Sequence, residues 1–119
     1  MKYLKSYRTW LFLLYSLMVI LLSMTPGKQF SLFLNLWKYD KIVHFVEYFG
    51  LGFLFVNMLM INVLDKRMKL YIVIFILLFP ILDESLQYFT PMRIADFNDV
   101  IVDIIGGVLG SYIRVYISD

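Results

Sequence analysis

The sequence contains no cysteine, and this absence removes several classes of function. Without a thiol the chain can form no disulfide, no thiolate metal site, no cysteine nucleophile and no lipoprotein attachment point. Histidine occurs only once, as His44. A site of carboxylates and one imidazole suits harder cations better than zinc, so we predict no tightly bound metal and no cofactor.

Charge is scarce as well, since the net charge of the 119 residues is only +2. The lysines are scattered among apolar segments, which argues against a nucleic-acid partner. Apolar residues make up 61% of the chain, too many for a soluble domain of this length. The composition therefore predicts a membrane protein with a single domain, residues 1–119.

Four apolar segments are long enough, or nearly so, to cross about 30 Å of hydrocarbon as helices. We predict an all-α integral membrane bundle of four transmembrane helices over residues 9–24, 42–64, 70–89 and 99–117. The first segment stops at Thr25-Pro26-Gly27, and no A-x-A-like cleavage site follows it. It is therefore expected to be a retained anchor rather than a signal peptide.

The positions of lysine and arginine orient these spans, because basic loops are retained in the cytoplasm. With four spans and both termini in the cytoplasm, seven basic residues lie inside and four outside. The inside set is Lys2, Lys5, Arg8, Lys66, Arg67, Lys69 and Arg114; the outside set is Lys28, Lys38, Lys41 and Arg93. This predicts a multi-pass protein of the cytoplasmic membrane.

In that topology the polar residues within and beside the spans gather at the extracytoplasmic face. Ionisable groups are costly in hydrocarbon, so they are kept where they face the protein interior, water or a ligand. We therefore predict a binding site at this face. Its candidate residues are Lys41, His44, Glu84, Gln87, Arg93, Asp99 and Asp103.

The spacing around His44 allows two interpretations. Asp40, His44 and Tyr48 are four residues apart and share one helical stripe. A carboxylate beside the imidazole is typical of a general acid or base, or of a phosphate-facing histidine. Alternatively, His44 hydrogen-bonds a neighbouring helix or an interfacial water.

The carboxylates at the end of the third segment also allow two interpretations of their role. Asp83 and Glu84 lie on the same side as Gln87, at spacings of four and three residues. A pair of carboxylates in different environments can divide acid and base roles, which makes Glu84 a second catalytic candidate. The alternative is a clamp between helices, in which Glu84 meets Arg93, Lys41 or His44.

The fourth segment carries polar and small residues on one face. Asp99, Asp103, Gly106 and Gly110 follow at spacings of four, three and four residues. Gly-x-x-x-Gly permits close approach of another membrane helix, so the two glycines are assigned to helix packing. Arg114, near the end of the segment, is expected to extend into the headgroup layer.

Three polar motifs occur in order on three of these segments. They read Asp40-Lys41-x-x-His44-Phe45-x-x-Tyr48-Phe49-x-x-Gly52, then Asp83-Glu84-x-x-Gln87-x-Phe89-x-Pro91-x-Arg93, then Asp99 with Gly106 and Gly110. Together they resemble the VanZ-like family of small bacterial membrane proteins, over about Pro26 to Gly110. Two positions depart from the family: Met92 replaces a frequent glycine, and Asp103 replaces a usual asparagine.

The resemblance implies a cell-envelope membrane protein, and the family's namesake members are associated with resistance to teicoplanin. Three functions remain open from the residues. The first is binding of a membrane lipid headgroup, a lipid-linked cell-wall precursor or a lipoglycopeptide antibiotic, with Lys41 and Arg93 as anion contacts. The second is an enzyme acting on a phosphorylated or glycosylated lipid through His44, Glu84 and Arg93. The third, proton or ion conduction, would require a homo-oligomer.

Overall fold

The computed structural model describes residues 4–23, 40–60, 65–89 and 97–117. Within these ranges it contains four helices and no strand: α1 (Tyr7–Ser23), α2 (Asp40–Leu59), α3 (Lys66–Tyr88) and α4 (Phe97–Ile117). The all-α fold expected from the sequence is confirmed. The predicted break at residues 25–27 lies outside the described residues.

Each helix begins two to four residues before its apolar segment does, because polar residues form its first turn. The start of α3 shows the local cause most clearly. Asp65 has extended backbone angles, and its carboxylate accepts a hydrogen bond from the amide of Met68 at 2.9 Å. This is an N-cap, which satisfies a backbone donor that the helix leaves unpaired. The helix therefore includes the basic residues 66–69 ahead of its apolar part.

Contacts between the helices fix their directions. His44 and Asn57, at opposite ends of α2, meet Asp103 and Arg114, at the corresponding ends of α4, so α2 and α4 run parallel. The α2–α4 interface is the most extensive in the bundle. α1 runs antiparallel to α2, because Arg8 at its start reaches Asn57. α3 is also antiparallel to α2, as expected for consecutive spans that alternate in direction.

The centre of the bundle is aromatic and joins α1, α2 and α3. The rings of Phe55 and Phe75 stack with centroids 4.4 Å apart, and Phe12 lies 5.2 and 5.4 Å from them. Phe79 extends the cluster to Tyr48, with centroids 5.9 Å apart. Aromatic pairs at these separations add to the stability gained from burial. This layer separates the polar residues at the two ends of the bundle.

The outer surface of the bundle is apolar while much of its interior is polar. Leu14 and Leu82 are 64% exposed, whereas Asp103 is fully buried. A soluble domain shows the reverse distribution, and only a hydrocarbon surrounding favours this one. Three helices are long and apolar enough to cross a membrane. α1, with 17 residues, is shorter, at roughly 26 Å for 1.5 Å per residue.

Candidate functional site

His44 of α2 lies between two carboxylates of α4. A hydrogen bond of 2.8 Å joins its Nδ1 to Oδ1 of Asp103, and its Nε2 lies 3.5 Å from Oδ2 of Asp99. All three residues are buried, with exposures of 2% or less. Asp99 and Asp103 are one turn apart, so they present their carboxylates on the same face. The imidazole is thus held in a fixed orientation by both of its nitrogens.

Lys41 connects this buried group to the surface. It lies one turn before His44 on α2, and its ammonium forms an ion pair with Oδ1 of Asp99. The lysine side chain is 45% exposed, whereas that of Asp99 is 1% exposed. Charged and ionisable groups therefore follow one another from Lys41 through Asp99 and His44 to Asp103. We call these four residues the polar site.

Asp103 is the innermost member of the polar site. Its Oδ1 contacts His44, but its Oδ2 is buried and has no hydrogen-bond partner among the described residues. An unsatisfied buried oxygen is costly, and such groups recur at functional sites.

Asp83 of α3 is buried beside the polar site and ties three helices together. Its Oδ2 accepts a hydrogen bond of 2.7 Å from the hydroxyl of Tyr48, and its Oδ1 accepts one from the hydroxyl of Ser23. Tyr48 lies one turn after His44 on α2. These hydroxyls are neutral donors, so the carboxylate is solvated inside the protein as buried polar groups require. Gln87, one turn further along α3, is 2% exposed.

An open groove lies beside these residues, between the end of α3 and the start of α4. Its volume is about 290 Å³, and its walls are mostly apolar. Glu84 and Ser85 supply its polar atoms, next to Asp83 in the chain, and Val100 adjoins Asp99. The remaining wall residues are Ile81, Tyr88, Phe89 and Phe97. A cavity with apolar walls and a few polar groups is the usual form of a ligand site.

Glycines allow α2 and α4 to approach closely enough to form the polar site. A Cβ atom on Gly110 would overlap the carbonyl oxygen of Phe49, and one on Gly106 would lie 2.7 Å from that of Phe45. Gly52 of α2 meets the backbone of α4 in the same way. Close backbone packing of this kind is typical of membrane helices. It fixes the register that places His44 opposite Asp99 and Asp103.

The structure brings most of the predicted site residues to one end of the bundle. Lys41, His44, Asp99 and Asp103 form one connected network. Glu84 is half-buried and lines the groove, and Gln87 is buried on the same face of α3 as Asp83. Arg93 lies outside the described residues, as does the side chain of Asp40.

Sequence reasoning missed Ser23 as a partner of Asp83. The signal that could have found it is the spacing of small hydroxyl residues in α1. Thr9, Ser16 and Ser23 are seven residues apart, and all three are buried. Small residues at such spacing mark the packed face of a membrane helix.

The expectation that Arg114 extends into the headgroup layer is wrong. The side chain is only 4% exposed, and its Nε donates a hydrogen bond of 2.9 Å to Oδ1 of Asn57. Arg114 lies four residues after Gly110 and so on the same face of α4 as Asp103 and Gly110. It therefore points toward α2 rather than toward lipid.

The two ends of the bundle differ in charge. At the starts of α2 and α4 and the end of α3, hereafter the acidic end, the described ionisable side chains are Lys41, His44, Glu47, Asp83, Glu84, Asp99 and Asp103. At the opposite or basic end they are Lys5, Arg8, Asp65, Lys66, Arg67, Lys69 and Arg114. Among the described side chains, the acidic end thus carries every acidic group except Asp65, and the basic end carries every lysine and arginine except Lys41.

None of the described residues forms a group of three or more histidine or acidic side chains arranged to hold a metal ion. The carboxylates of Asp83, Asp99 and Asp103 contact Lys41, His44, Tyr48 and Ser23.

Comparison with known proteins places this arrangement in a family. The VanZ/LLP1 family matches residues 4–117, nearly the whole chain. The chain belongs to the VanZ/LLP1 family. The resemblance seen in the polar motifs is thereby confirmed, and it extends to α1 and to the end of α4. No curated protein and no solved structure matched the chain. The VanZ/LLP1 assignment and the apolar helices together indicate a membrane protein.

Proposed function

We propose that this VanZ/LLP1 protein binds an amphiphile at the extracytoplasmic face of the cytoplasmic membrane. The ligand classes are a lipid headgroup, a lipid-linked cell-wall precursor and a lipoglycopeptide antibiotic. The observation that carries the proposal is the groove between α3 and α4, which has mostly apolar walls and lies at the same end of the bundle as the polar site. An amphiphile matches this combination, since it has an apolar chain and a polar head.

Different residues contact the apolar part and the polar part of the proposed ligand. Ile81, Phe97 and Val100 supply apolar walls for an acyl or aromatic part of the ligand. Glu84, on the same groove, accepts hydrogen bonds from ligand hydroxyl or amine groups. Lys41 is exposed enough to be reached from outside, and its ammonium exchanges Asp99 for a ligand phosphate or carboxylate.

Native mass spectrometry of the detergent-extracted protein tests this proposal. Wild type is expected to carry one specific lipid or precursor adduct. The adduct should be lost in the double variant Lys41→Ala, Glu84→Gln, because both polar contacts are removed. Lys69→Ala, which removes one exposed positive charge at the basic end, is the matched control and should keep it. Equal adducts in all three proteins, or none in wild type, would refute binding at this site.

The orientation is part of the same proposal: both termini lie in the cytoplasm and the acidic end faces outward. The basic end then lies inside, in accord with the retention of basic segments. The absence of cysteine makes the test simple. A membrane-impermeant maleimide added to intact cells should label Tyr88→Cys but label Lys66→Cys only after permeabilisation. The reverse pattern would contradict the orientation.

A role in teicoplanin resistance is proposed from the family's namesake. Expression of wild type in a susceptible bacterium is expected to raise the teicoplanin concentration needed to stop growth. The Lys41→Ala, Glu84→Gln variant, produced at the same level, should not raise it. If the two proteins protected equally, resistance would not depend on the polar site.

An enzyme acting on a phosphorylated or glycosylated lipid is the second candidate. The hydrogen bond of 2.8 Å between His44 and Asp103 favours it, because a carboxylate orients the imidazole of many general bases. His44 Nε2 faces Asp99, so a substrate group must replace Asp99 to receive or give a proton there. Purified wild type should then convert a candidate lipid, and His44→Ala should not. Equal turnover by both would exclude this role for His44.

A further inference from the structure

A second polar cluster lies at the basic end, away from the proposed amphiphile site. Two arginines from different helices meet at Asn57, near the end of α2. Arg114 Nε donates a hydrogen bond of 2.9 Å to the side-chain oxygen of Asn57, and Arg8 Nη1 donates one of 3.3 Å to its backbone oxygen. α1, α2 and α4 are thus joined here by positively charged groups.

Burial makes this pair of arginines suited to an anion. Arg114 is 4% exposed and Arg8 is half-buried. A guanidinium removed from water interacts more strongly with a negative charge, because solvent no longer screens it. The planar guanidinium also matches two oxygens of a phosphate group at once. Two such groups around a single amide concentrate positive charge at one point.

Two buried hydroxyls are close to the arginines in the sequence. Thr9 directly follows Arg8 and is 6% exposed, and Ser111 lies one turn before Arg114 and is 7% exposed. Neither hydroxyl oxygen has a hydrogen-bond partner among the described residues.

The surroundings of the cluster indicate where the anion comes from. The helix ends at the basic end mark the level at which the apolar surface stops, which is the level of lipid headgroups. Exposed basic residues, among them Lys5 and Arg67, lie at the same end of the bundle. Basic pockets between transmembrane helices on the cytoplasmic side bind anionic headgroups.

We propose that Arg8, Arg114 and Asn57 form a binding site for the phosphate of an anionic phospholipid. The bound phosphate bridges α1 and α4 at the basic end. This site is distinct from the amphiphile site, which lies at the acidic end. Its ligand comes from the opposite leaflet.

Native mass spectrometry with added lipid tests this inference. The delipidated protein is mixed with phosphatidylglycerol or phosphatidylcholine at equal concentrations. Wild type is expected to retain one phosphatidylglycerol and no phosphatidylcholine. Arg8→Gln should retain phosphatidylglycerol at least tenfold less. Lys69→Gln, which removes an exposed positive charge at the same end, should retain it as wild type does.

Several outcomes would overturn the proposal. Equal retention of phosphatidylcholine would show that charge is not recognised, and an equal loss in Lys69→Gln would show only general attraction. Displacement of the lipid by millimolar inorganic phosphate would assign the site to a soluble anion. Circular dichroism checks that Arg8→Gln folds. Should it not fold, Arg8→Lys replaces it: this variant keeps the charge but loses the planar fork, and undiminished retention would contradict the proposal.

Discussion

The substitution Gly110→Ala is expected to separate α2 from α4 and so to destabilise the bundle. Its Cβ would overlap the carbonyl oxygen of Phe49, which belongs to helix backbone and cannot rotate away. Gly107→Ala is the matched control on the same helix. There the new Cβ would lie 3.4 Å from side-chain carbons of Ile76, which can adjust.

The comparison of these two alanine variants isolates helix packing. Alanine is favoured over glycine in a helix by about 1 kcal/mol at either position, so that contribution cancels. Overpacking costs about 1 to 3 kcal/mol, and we expect Gly110→Ala to be less stable than Gly107→Ala by about 2 kcal/mol. This corresponds to roughly a 30-fold difference in the unfolding equilibrium. Titration with sodium dodecyl sulfate in mixed micelles, followed by circular dichroism, measures it. Equal stabilities would refute the close packing of α2 and α4.

Two further substitutions test the buried hydrogen bonds. Tyr48→Phe removes a hydrogen-bond donor from the buried carboxylate of Asp83 and should lower the free energy of unfolding by about 1 to 3 kcal/mol. Tyr88→Phe is the control at an exposed tyrosine, and it should leave the sodium dodecyl sulfate titration unchanged. Asn57→Leu removes the side-chain acceptor of Arg114 Nε and should cost about 1.5 to 3 kcal/mol, as for other hydrogen bonds to charged groups. A Tyr48→Phe protein as stable as wild type, or an Asn57→Leu protein that unfolds at the same detergent fraction, would contradict the respective contact.

The fold was predictable because hydrophobic length and local signals determine it. The apolar segments predicted four helices, and the described helices begin two to four residues before the predicted starts. The earlier start of α3 follows from the cap at Asp65, which is outside the apolar segment. The shortness of α1 could also be seen in the sequence, since its apolar run ends at Thr25.

The partners within the site could be predicted only in part. The spacing of Asp99, Asp103 and Gly110 showed that these residues share a face, but spacing within one helix cannot tell which residue of another helix lies opposite. The pairing of His44 with Asp103 depends on the register set by glycine contacts between α2 and α4.

The error over Arg114 has a related cause. A basic residue near a helix end was expected to reach outward because its position along the helix was considered, but not its face. Arg114 is four residues after Gly110 and so lies on the stripe that packs against α2. Extending the stripe by one turn would have predicted its burial.

The central claim is that α2 and α4 enclose His44 between two carboxylates. Nitrogen NMR of this histidine tests it most directly. Because His44 is the only imidazole, its signals need no assignment. The account predicts an Nδ1 proton protected from exchange with water, whose signal shifts in Asp103→Asn and not in Asp65→Asn. An imidazole that exchanges freely with water and does not respond to Asp103→Asn would contradict it.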